Sequence, residues 1–105
     1  MSRDINKGRV ALLIDDFDER ARRETDFDPA EAAAFFVRKV RHEREAALDD
    51  VAAAIKVGDA FAVACAREAR HRAEQRMQEW EAVLEHFRSP DWRRQQSVRN
   101  VNWHR

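Results

Sequence analysis

Glycine and proline occupy only four of the 105 positions, Gly8, Pro29, Gly58 and Pro90, and they leave stretches long enough for three helices. Each stretch carries a helical pattern. Between Gly8 and Pro29, Val10, Leu13, Ile14, Phe17 and Ala21 recur at helical spacing. Acids four residues ahead of bases (Asp16–Arg20, Asp18–Arg22, Glu19–Arg23) support a helix over about residues 9–24. A strand over residues 9–15 is the alternative.

The sharpest local signal is Asp28-Pro29-Ala30-Glu31. Asp28 serves as N-cap, Pro29 stands where a missing N–H costs nothing, and Glu31 closes a capping box. The helix that starts there runs to Val57, where Gly58 supplies the left-handed stop and Asp59 caps the next helix. A third helix over 60–88 follows, with Phe61, Cys65, Ala69, Ala73, Met77, Trp80, Leu84 and Phe87 expected on its buried stripe. Ser89-Pro90 ends it. Two helices of about 28 residues, roughly 42 Å each, joined by two residues must lie antiparallel. The alternative is one continuous helix through Gly58, which Gly followed by Asp disfavours. The turn resembles that of a tetratricopeptide repeat, but the helices are too long for that unit and no second copy follows. The fold class expected is therefore all-α: a long antiparallel helical hairpin, an N-terminal helix, and a short C-terminal helix or arm. Residues 1–88 form a three-helix domain in this reading, and 89–105 a basic arm.

Composition makes the core thin. Of 46 apolar residues 18 are Ala and only four are Leu, so helix propensity is high while burial per residue is low. A second copy is the natural supplement, and a homo-oligomer is expected; Phe35 and Phe36 cannot both face the same neighbour. A lone Cys65 excludes an internal disulfide and reads as a small buried hydrophobe. No run approaches a membrane span and no signal-peptide pattern opens the chain, so the expected location is the cytoplasm, with no membrane partner.

Net charge is zero but unevenly spread. Residues 1–35 hold six basic and nine acidic side chains, and residues 89–105 hold four arginines against one Asp. Arg outnumbers Lys 17 to 3, in keeping with a GC-rich genome. Trp92, Arg93, Arg94, Arg99 and Trp103 in the arm are the candidate partner-binding residues, since Trp and Arg combine large buried area with several hydrogen bonds. The same arginines could clamp phosphates. The competing reading folds the tryptophans back over the thin core.

In the middle of the hairpin Glu45 and His71 are equally far from Gly58, and Glu68 and His71 form Glu-x-x-His. The trio resembles half of a ferritin-like carboxylate site that a dimer could complete. The neighbouring Arg44, Arg70 and Arg72 favour a belt of ion pairs instead, and no metal or other cofactor is expected. Phosphate loops, nucleophile elbows and Cys-x-x-Cys pairs are missing, so no catalytic residue is assigned. The function expected is a non-enzymatic protein–protein interaction module: a regulator, inhibitor, adaptor or assembly subunit of a bacterium, phage or plasmid. The alternatives are a nucleic-acid-binding accessory protein using the arm and a ferritin-like metal-binding hairpin dimer.

Overall fold

The computed structural model describes residues 6–94. Three helices follow one another, α1 (Lys7–Arg23), α2 (Pro29–Val57) and α3 (Ala60–Arg88), and residues 90–94 are again helical. No strand occurs among the described residues, so the Arg9–Asp15 segment is helix. The architecture is the expected one: α2 and α3 form a long hairpin, with α1 against it.

The caps explain the boundaries. Asn6 accepts the Arg9 amide at 3.0 Å, which starts α1 two residues earlier than the sequence pattern placed it. Gly8 is therefore inside the first turn. Asp28 takes the amides of both Ala30 and Glu31. At the tip Gly58 has φ +80°, and its N–H reaches the carbonyls of Ala54 and Ile55. Asp59 then accepts the Ala62 amide at 3.1 Å. One left-handed residue and one cap thus reverse the chain within two positions.

The hairpin seam repeats in sevens. On α2 it runs through Ala33, Val40, Ala47 and Ala54, with Val37, Arg44 and Val51 between them. On α3, Ala66, Ala73, Trp80 and Phe87 keep the same spacing, alternating with Ala62, Ala69, Arg76 and Val83. This is the geometry of an antiparallel coiled coil, in which a narrow stripe faces the partner helix. The stripe differs from the one expected: Phe61 and Cys65 are exposed and lie off the seam. Cys65 is not a core residue, because the seam passes through Ala66 beside it.

Burial is concentrated at the open end. Phe17 of α1 meets Ala33, Val83 and Phe87, surrounded by Val10, Leu13, Ile14, Phe27, Phe36, Trp80 and Leu84. Phe36 stacks on Trp80 at 4.4 Å between centroids, and Phe17 touches both rings. Edge-to-face and stacked contacts of this kind add to area burial. α1 is about 25 Å long against about 43 Å for its neighbours. It therefore covers one face of the base and leaves the outer part of the hairpin as two helices.

Candidate interaction surfaces

Three regions carry polar or exposed apolar groups in unusual positions. The first is the middle of the hairpin. Glu43 and Arg76 form an ion pair across the two helices. The stacking of Phe36 on Trp80 gives the register counted from Gly58, which leaves Glu45 and His71 at the same level. Glu45 pairs with His42 on its own helix at 3.8 Å, and Glu68 with Arg72 at 3.6 Å. Among the described residues no group of three or more His, Cys, Asp or Glu is placed to hold a metal ion. The trio singled out by spacing is thus spread over different faces of two helices. Arg44 sits in the seam, with its Nε buried and lacking a hydrogen-bond partner. That placement puts a charged side chain where the coiled coil expects an apolar one.

The second region is the start of the arm. Ser89 caps the segment, its hydroxyl accepting the Trp92 amide at 3.2 Å. Trp92 is half-buried: its ring stands edge-on to Phe87, with centroids 5.1 Å apart. Its indole N–H donates to Asp18 of α1. These contacts cross the boundary expected at residue 88. Arg93 and Arg94 are exposed, Arg94 lying 3.6 Å from Asp91. Arg99 and Trp103 lie outside the described residues. Nearby, a groove of about 760 Å³ runs between α2 and α3, with Arg41, Glu81, Glu85 and Arg88 on its walls. Its charges alternate in sign, which gives it no preference for a strongly charged ligand.

The hairpin tip is the third region. Val57 and Phe61 are 80% and 79% exposed, and Ile55 is 56% exposed. Ile55, with Gly58, Ala60, Val63, Ala64 and Arg67, lines a shallow groove of about 430 Å³ that includes neither Val57 nor Phe61. Spacing identifies the faces. Val57 lies three sevens beyond Phe36, and Cys65 two sevens before Glu79. Phe36 touches Phe17, and Glu79 lies 3.7 Å from Arg9, so both of those face α1. Val57, Phe61 and Cys65 therefore continue the α1-facing side of the hairpin past the point α1 reaches. Sequence reasoning placed Phe61 in the core. The signal against it was the seven-residue line back from Phe87, which arrives at Ala66 and leaves Phe61 aside.

Among the described residues no helix is long and apolar enough to cross a membrane. The chain matches no family model, no curated protein and no solved structure.

Proposed function

We propose that the chain is a non-enzymatic protein–protein interaction module whose binding element is the hairpin tip. The observation that carries this reading is the pair Val57 and Phe61, two large apolar side chains about four-fifths exposed at the end of a long projecting element. Exposed apolar side chains scattered singly are ordinary; three of them at one tip, one of them lining a shallow apolar groove, are the usual mark of a contact surface. The base supplies the rigid anchor, and the hairpin carries the contact residues away from it. A role as regulator, inhibitor, adaptor or assembly subunit in a bacterium, phage or plasmid is compatible with that division.

Nucleic-acid binding through the arm is supported less well. Trp92 is engaged by Asp18 and Phe87, and Arg94 by Asp91, which leaves fewer free groups for stacking or phosphate contact. The test is a photo-crosslinking residue at position 61 in cells producing the chain. A discrete protein adduct is expected there and not from the same probe at exposed Arg38. If position 61 yields no adduct, the reading fails.

A further inference from the structure

We propose that the outer part of the hairpin, residues 44–73, opens as a unit on its own while the base stays folded. Burial changes character along the two helices. In the base the buried side chains include Phe17, Val37, Val40, Val83 and Phe87. In residues 44–73 every buried side chain is an alanine: Ala47, Ala54, Ala66 and Ala73. Each of these withdraws a single methyl group from water, and only Val51, Ala62 and Val63 add half-buried apolar surface. The large apolar residues of the same stretch, Leu48, Ile55, Val57 and Phe61, are exposed and add little to the seam.

A break in the seam marks the inner limit of this stretch. Arg44 occupies a seam position with its Nε buried and lacking a hydrogen-bond partner. Arg76 takes another, about one helical turn closer to the base. Two arginines in succession thus interrupt the apolar contact that would carry closure of the base outward. Arg76 pairs with Glu43, and among the described residues that is the only ion pair joining α2 to α3. Further out, Glu68–Arg72 and Arg70–Glu74 stay within α3. At about 14 residues each, the two outer lengths are marginal helices in water by themselves. Once the alanine seam parts, both lose their helix together. The base does not follow, because the cluster built on Phe17, Phe36, Trp80 and Phe87 includes no residue from 44–73. The residues exposed at the tip are thereby carried on the least stable part of the molecule.

Amide hydrogen exchange of the full chain, resolved into short segments by mass spectrometry, reads this opening directly. Amides in 48–56 and 64–73 should share one level of protection, exchanging at least about a hundredfold faster than those in 34–42 and 78–87. Val83→Ala, in the base, should speed the base amides about tenfold or more and leave the outer amides unchanged, because the outer opening does not break that contact. Val37→Ala asks the same question from α2 if Val83→Ala does not fold. Arg44→Met should slow the outer amides about fivefold, since closing then no longer buries an unmet donor. Equal protection throughout overturns the proposal, and so does a smooth decline from base to tip, which is fraying and not a unit. A base substitution that speeds both sets by the same factor overturns it too, since the hairpin then opens only as a whole.

Discussion

The indole nitrogen of Trp92 donates a 3.1 Å hydrogen bond to Oδ1 of Asp18, a residue 74 positions earlier in the chain. The other oxygen of the same carboxylate accepts from Arg22 at 2.8 Å. The start of the C-terminal segment is thus fastened to the first helix by a charge-assisted bond, and to α3 through Phe87. Trp92→Phe should lower stability by about 1–2 kcal/mol, the range for hydrogen bonds to charged groups. Trp92→Ala, which also removes the ring from Phe87, should cost about 3 kcal/mol. Urea unfolding followed by circular dichroism measures both. Ending the chain at Arg88 should cost as much as Trp92→Ala, whereas ending it at Arg94 should keep the contact. An unchanged midpoint in the shorter chain would show that the bond is immaterial.

Phe87 and Phe61 lie on one helix and differ almost completely in surroundings, 1% against 79% exposed. Phe87→Ala should therefore destabilise by about 3–5 kcal/mol, the transfer and cavity cost of a core aromatic. Phe61→Ala in dilute protein should stay within about 0.5 kcal/mol. Equal effects in thermal melts would contradict the placement of the seam.

Gly58 sits at φ +80° with open space where a Cβ would be. The cost of a side chain there is purely one of backbone conformation. Gly58→Ala should destabilise by about 1 kcal/mol, and Gly58→Asn by less, since Asn tolerates the left-handed region. Chemical denaturation of the pair separates this from steric crowding, under which the larger Asn would do worse.

Arg44 brings a buried, unpartnered Nε into the hairpin seam. Arg44→Met keeps the length of the side chain and removes the unmet donor. The variant should be more stable by about 1 kcal/mol, as buried charges replaced by apolar groups often are. A loss of stability would mean that the rest of the guanidinium makes contacts outweighing the lone nitrogen.

Much of the fold was legible because its boundaries are written in residues with few conformational options. Asp28-Pro29, Gly58-Asp59 and Ser89 each fixed a helix end, and the two-residue turn forced the hairpin. The inward face of α3 was harder to read. Alanines stand on every side of that helix, at 60, 62, 64, 66, 69 and 73, so apolar residues alone do not distinguish a 3.6-residue stripe from a seven-residue one. Where α1 docks along the hairpin is also not encoded locally. It follows from Phe17 meeting Phe36, Trp80 and Phe87, residues brought together only by the completed fold. The exposure of Val57 and Phe61 depends on that docking, which is why the tip went unread. The Glu45, Glu68 and His71 spacing left two readings open for a related reason: counting residues from a turn gives levels along a hairpin, but not faces.

Because the seam recurs every seven residues, the reach of the hairpin is quantised. Removing residues 44–50 from α2 together with the seven opposite them, 66–72 in α3, would draw the tip inward by about 10.5 Å and leave it aimed as before. Adding a seven to each helix would push it out by the same step. Changing the length by three or four would swing the tip around the hairpin axis instead. The distance between anchor and contact can thus be reset in fixed increments without redesigning either end, as marks are added to a ruler.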